Sequence, residues 1–206
     1  MPYKTIRAEA TDSITIEKSE FIAKIAPVAT AEEAAAFIDS VRAEHRRARH
    51  NCYAYTLREG FETRFSDDGE PQGTAGPPIL DVIQKNGLTD VCIVVTRYFG
   101  GILLGKGGLT RAYSSAAAKA VACAHLKIMC EARELKVTLD YSFYDRITRL
   151  LPEYEIKTLD QDFADKIVLT LLCKEEFCES FLQKLCDISN AQIEVDKSET
   201  HFADFA

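Results

Sequence analysis

Residues 91–111 read Val91-Cys92-Ile93-Val94-Val95-Thr96-Arg97-Tyr98-Phe99-Gly100-Gly101-Ile102-Leu103-Leu104-Gly105-Lys106-Gly107-Gly108-Leu109-Thr110-Arg111. The first five residues are apolar and mostly β-branched, the mark of a strand buried on both faces. The glycines that follow mark backbone that turns through positive φ or lets something approach closely. A second glycine-rich loop precedes the strand: Ser66-Asp67-Asp68-Gly69-Glu70-Pro71-Gln72-Gly73-Thr74-Ala75-Gly76-Pro77-Pro78. Between Asp67 and Tyr113 lie nine of the ten glycines of the chain, so this stretch is its organising centre.

On the N-terminal side, alternation at Ile6, Ala8, Ile14 and Ile16 predicts a hairpin over residues 5–17 with its turn at Thr11-Asp12-Ser13. A third strand, residues 20–25, stops at Pro27. Thr30 as N-cap and Glu33 three residues later predict a helix over 31–45. It ends in His45-Arg46-Arg47-Ala48-Arg49-His50, either a helix end followed by a solvated loop or a phosphate-binding patch. Residues 51–57 and 63–65 pair as a hairpin. Pro77 and Pro78 open a helix over 79–85, and an alanine-rich helix spans 110–124.

Near Glu131 the character changes and glycine vanishes. Strands at 135–139, 154–159, 164–173 and 192–197 alternate with helices at 143–151, capped by Ser142, and 175–188. Asp160-Gln161-Asp162 supplies the turn between the middle strands. This β-α-β-β-α-β order is that of a ferredoxin-like unit. Residues 1–133 carry 17 Lys and Arg against 16 Asp and Glu, so the net charge of −7 resides in residues 134–206. The expected organisation is two α+β domains, 1–133 and 134–206. No apolar run is long enough to span a bilayer and the seven cysteines include no C-x-x-C pair, which predicts a cytoplasmic protein with buried free thiols.

The SDDGEPxGTAG and VVTRYFGGxxLGxGGLxRAY patterns, together with Arg49-His50-Asn51-Cys52-Tyr53-Ala54-Tyr55, resemble those of the Impact/YigZ family. The resemblance implies an N-terminal domain like domain 2 of ribosomal protein S5, a C-terminal ferredoxin-like domain like one in elongation factor G, and a role around translation. It also implies RNA or ribosome partners. Eukaryotic relatives add a protein-binding role in control of a translation-initiation kinase.

Residue chemistry points to anion binding. Gly100, four residues, then Gly105-Lys106 approaches a P-loop, but the Ser or Thr that would hold Mg²⁺ is replaced by Gly107, which argues against nucleotide hydrolysis. What remains is a cradle of backbone N–H groups, or a turn that lets the alanine helix pack closely. The candidate nucleic-acid or phosphate contacts are Arg49, His50, Arg97, Tyr98, Gly100, Gly101, Gly105, Lys106, Gly107, Gly108 and Arg111, with Arg97, Lys106 and Arg111 meeting phosphates. Replacing Arg97, Lys106 and Arg111 with Ala is expected to change stability little, except for a perturbed strand end at Arg97. Tyr53, Tyr55, Tyr98 and Phe99 are the aromatics near the basic segments on which bases could stack. Alternation places at least half of them in the core, and Tyr98, adjoining Arg97 where strand gives way to loop, is the favoured one.

A candidate ligand loop comprises Asp67, Asp68, Glu70, Gly73, Thr74 and Gly76. Its carboxylates suit either Mg²⁺ or a self-bonded turn. Cys52 or Ser66 with His50 and Asp68 could be assembled into a nucleophilic site, and His45, His50 and Cys52 into part of a zinc site, but neither spacing is specific. The reading therefore assigns no catalytic residue, no metal and no cofactor, favours binding over catalysis, and leaves the oligomeric state open. Its alternatives are an enzyme acting on a small or phosphorylated substrate at the Asp67–Gly76 loop, and a protein-binding regulator of translation.

Overall fold

A computed structural model describes residues 1–205. The chain is α+β, an S5 domain 2-like unit followed by a ferredoxin-like one, with compact units spanning Tyr3–Ile128 and Met129–Phe205, the latter including Met1–Pro2. The first unit contains β1 (Tyr3–Ile6), β2 (Ala10–Ile16), β3 (Ser19–Pro27), α1 (Ala31–Glu44), β4 (His50–Thr56), β5 (Thr63–Ser66), α2 (Gly76–Lys85), β6 (Val91–Tyr98) and α3 (Gly105–Cys123). A short 3₁₀ turn, Glu59–Phe61, joins β4 to β5. Strand β7 (Leu126–Leu139) runs through the boundary, and α4 (Tyr141–Thr148), β8 (Lys157–Phe163), β9 (Ile167–Lys174), α5 (Glu175–Ser189), β10 (Glu194–Lys197) and β11 (His201–Asp204) follow.

In the first unit the sheet order is β2-β3-β6-β4-β5, antiparallel throughout. Strand β6 sits at its centre because it can bury both faces. Val91, Ile93 and Val95 join the core beneath α2 and α3, while Cys92 and Val94 join the core beneath α1. Each buried Val or Ile contributes about 1.5–3 kcal/mol relative to exposure, so this strand anchors both cores. Helix α1 starts where Thr30 Oγ1 accepts the Glu33 N–H (3.2 Å) and Glu33 Oε2 accepts the Ala29 N–H (2.6 Å). It buries Ala34, Phe37, Ile38 and Val41, the spacing of one helix face. Helix α3 presents Ala112, Ala116, Ala117 and Ala120, all fully buried; side chains this small let its backbone approach the sheet.

In the second unit the order β10-β7-β9-β8 is antiparallel, with β11 on the same edge of β7 as β10. The helix-facing side buries Leu135, Val137, Leu139, Ile167, Leu169 and Leu171 against Ile147, Phe181 and Leu185.

Five local expectations are corrected. The first turn lies at Glu17-Lys18, not at Thr11-Asp12-Ser13: Ile16 pairs with Ser19, and both turn residues take positive φ, 46° and 63°. Such a turn matches the twist of the flanking strands, and it forms here without the Gly or Asn that would signal it. Helix α3 starts at Gly105, five residues before Thr110, because glycines in a first turn interrupt no intrahelical ladder. Asp140, not Ser142, precedes α4. Asp160, Gln161 and Asp162 lie within β8, whose residues are all exposed at the sheet edge and so can be polar, and the turn falls at 164–166. Strand β11 was not expected from the pattern.

Candidate nucleic-acid interface

Strand pairing decides which candidates meet. His50 pairs with Arg97 across β4 and β6, and Phe21 pairs with Arg97 across β3 and β6, so the end of the basic run arrives beside the strand that leads into the second glycine segment. There an open surface cavity of about 640 Å³ is lined by Arg47, Arg49, His50, Arg97, Tyr98, Phe99 and Leu103. Its wall contains no carboxylate. Among the described residues Arg47 and Arg49 have no ion-pair partner, and both are exposed.

Arg97 differs from them. It follows Val95 by two residues, so its side chain points to the α2 and α3 side of the sheet. It is 7% exposed, and its Nη1 meets Glu70 Oε1 at 2.7 Å, where the glutamate side chain is 4% exposed. The Tyr113 hydroxyl donates to the same oxygen at 2.8 Å. Burial first, and then the charges and bonds of Cys52 and Glu70, push the Tyr113 hydroxyl far above its ordinary pKa, so it stays a donor. The guanidinium carbon lies 5.5 Å from the Phe21 ring centre and 5.4 Å from that of Phe99. Arg97 is thus a matched charge within the cavity wall, and the expectation that its removal costs little stability is corrected by this burial.

The acidic loop is turned onto itself. Asp67 accepts the N–H groups of Gly73 (2.8 Å), Ala75 (2.9 Å) and Gly76 (2.9 Å). Desolvation works to raise its pKa, but those three bonds together outweigh it and hold the carboxyl below the usual aspartate range. Asp68 accepts the Asn51 N–H at 2.7 Å and pairs with Arg42 at 3.2 Å. Thr74 donates to the Pro71 carbonyl and is buried. Glu70 is committed to Arg97 and Tyr113. The loop residues expected to hold a ligand thus all have internal partners.

Cys52 is fully buried, donates to the Asp67 carbonyl at 3.0 Å, and is pushed by burial well above an ordinary thiol pKa, which removes it as a nucleophile. His45 Nδ1 faces the Tyr98 hydroxyl at 3.1 Å. Among the described residues, no three His, Cys, Asp or Glu side chains converge as a metal site would require, and no helix is long and apolar enough to cross a membrane.

The glycines divide by cause. At Gly100 an added Cβ would lie 2.0 Å from the Lys18 carbonyl carbon, so close packing requires glycine there. Gly101 and Gly105 have open space but positive φ, 87° and 67°. Gly105, Lys106, Gly107 and Gly108 form the first turn of α3, which has no side-chain cap and so offers free N–H groups. Arg111 folds back toward Gly107, and its Nη1 would be 3.7 Å from a Cβ there. Gly100, Gly101, this first turn and Arg111 do not line the cavity that gathers Arg49, His50, Arg97 and Tyr98.

Leu103 is not among the sequence candidates; Arg47 enters only as a member of the basic run, and Phe99 as one of four aromatics of which Tyr98 is favoured. Arg47 belonged to a basic run whose cavity-facing members no periodicity selects. Leu103 lies in a segment without strand or helix pattern, yet it is 87% exposed.

The Impact N-terminal domain family matches residues 17–121, and a domain of unknown function, DUF1949, matches residues 137–192. IMPACT family member YvyE of Bacillus subtilis is 33% identical over 99% of this chain and 94% of its own length. The chain belongs to the IMPACT family. IMPACT family member YigZ of Escherichia coli is 35% identical, covering 87% of this chain and 90% of its own. A crystal structure described as that of an hypothetical protein superimposes with a TM-score of 0.62 at 33% identity, covering 96% of this IMPACT family chain and 98% of that one. Both glycine segments fall inside the Impact N-terminal match.

Proposed function

We propose that this protein is an RNA- or ribosome-associated factor that influences translation, and that the Arg47–Arg49 cavity is where it meets phosphates. The observation that carries the reading is a concave wall with no carboxylate and two arginines that have no ion-pair partner among the described residues. Phosphate contacts of this kind supply sequence-independent affinity, and local potential matters more than the overall charge of −7. The link to translation comes from IMPACT family membership and the resemblance that goes with it. The free N–H groups at the start of α3, with Lys106 and Arg111 beside them, form a secondary anion surface.

The enzyme alternative at the Asp67–Gly76 loop has less support, because its carboxylates already accept four backbone N–H groups, pair with Arg42 and Arg97, and accept a tyrosine hydroxyl. The test is salt-dependent binding of labelled RNA and co-sedimentation with ribosomal subunits. Replacing Arg47 and Arg49 with Ala should weaken RNA binding and flatten the salt slope by about 0.7 per lost contact on single strands. Wild-type affinity and slope in that folded double variant would overturn the proposal.

A further inference from the structure

The cavity polarity is one-sided, and that narrows its ligand. Arg47, Arg49 and Arg97 only donate, and the Tyr98 hydroxyl is engaged with His45. His50 is the exception. Its Nδ1 lies 2.8 Å from the Asp68 carbonyl oxygen, which can only accept, so Nδ1 carries the hydrogen. In the neutral ring, Nε2 is then an acceptor, and it has no partner among the described residues. A ligand that fits must bring an anion for the arginines and a hydrogen-bond donor for this nitrogen.

It must also bring something flat or apolar. Phe99 is 55% exposed, although Arg97 lies over its ring and is itself fixed by Glu70. Leu103 is the other apolar group of the wall. Resting on the reading of this cavity as the phosphate-binding surface, we propose that it accepts a nucleotide unit of single-stranded RNA. The base stacks on Phe99, the 2′-hydroxyl donates to Nε2 of His50, and the flanking phosphates meet Arg47 and Arg49. An A-form duplex would not serve, because its bases are already stacked within the helix and cannot reach the ring.

The experiment compares octauridylate with its 2′-deoxy and 2′-O-methyl counterparts, an RNA duplex, and uridine monophosphate as competitor, at pH 8. Octauridylate should bind about three- to ten-fold tighter than both 2′-modified strands, since a methoxy group cannot donate. Phe99→Ala should weaken every single strand about five- to 150-fold, the range for losing one stacked base. His50→Phe, with an unchanged melt, should equalise the ribo and deoxy strands. The 2′-O-methyl comparison answers the same question if that variant does not fold. Equal affinity for ribo and deoxy strands, equal affinity for the duplex, or an inert Phe99→Ala would each overturn the inference. So would competition by the monophosphate at the concentration of the octamer, which would assign the cavity to a free nucleotide. If binding still depends on Arg47 and Arg49 in those cases, the phosphate-binding reading stands and only the single-strand assignment falls.

Discussion

Replacing Glu70 with Ala should be among the most damaging single changes in the first unit. It strands the Arg97 guanidinium, 7% exposed between two aromatic rings, without a counter-charge. It also takes the acceptor from the buried Tyr113 hydroxyl. Breaking a buried ion pair costs about 3–5 kcal/mol. Against a total domain stability of about 5–15 kcal/mol, that is about a fifth of the margin or more. At roughly 4 °C per kcal/mol for a unit of this size, Tm should fall by roughly 12–20 °C. The double variant Glu70→Leu with Arg97→Met removes both charges and keeps apolar volume, so it should recover most of the loss, with a coupling of at least about 2 kcal/mol. Because the chain lacks tryptophan, urea unfolding is best followed by far-UV circular dichroism, comparing midpoints at constant slope. Single variants within about 0.5 kcal/mol of wild type, or a double variant costing the sum of the singles, would refute the buried-pair reasoning.

Gly100→Ala should cost more than Gly105→Ala, since the first drives a Cβ into the Lys18 backbone while the second adds about 1–2 kcal/mol of left-handed strain; equal urea midpoints would contradict this. Asp67 has a depressed carboxyl pKa, so its stabilisation is fully present above the ordinary aspartate value of 3.8 and is lost as pH falls through its lower folded value. The stability gap between wild type and Asp67→Asn should therefore be flat above that pH and shrink below it, and a gap that grows on acidification would reverse the sign. A fragment starting at Met129 should melt cooperatively, and one starting at Glu134 should be weaker because it lacks Met129–Ala132, the partners of β11; matching melts would count against β11 as a stabilising strand. No Mg²⁺-dependent ATP or GTP turnover is expected, as Gly107 has no hydroxyl to hold the ion; turnover abolished by Lys106→Ala would show otherwise.

Much of the fold was legible where one physical signal dominated. The run from Val91 to Val95 could only be a strand buried on both sides, and the capping pair Thr30 and Glu33 fixed the start of α1. Boundaries failed where the chain uses a conformation without its customary residue. Glu17 and Lys18 adopt positive φ because the strands they join impose it, and glycines that looked like loop proved to be a helical first turn. For the site, the juxtaposition of His50 with Arg97 needed strand register, which no local pattern carries. The burial of Arg97 did have a signal. Strand alternation continued two residues past Val95 puts it on the core side, and Glu70 is the carboxylate that matches it there. An arginine next to glycines reads as a surface cation only when that periodicity is ignored.

Arg97, pinned by Glu70 and flanked by Phe21 and Phe99, has a kinetic consequence. A rim residue backed by a fixed charge does not have to be ordered when a ligand arrives, so the entropy of shaping that part of the wall is already spent in folding. Encounter, not rearrangement, then limits association. The association rate should rise as salt is lowered, through Arg47 and Arg49, while residence time is set by the contacts within the wall.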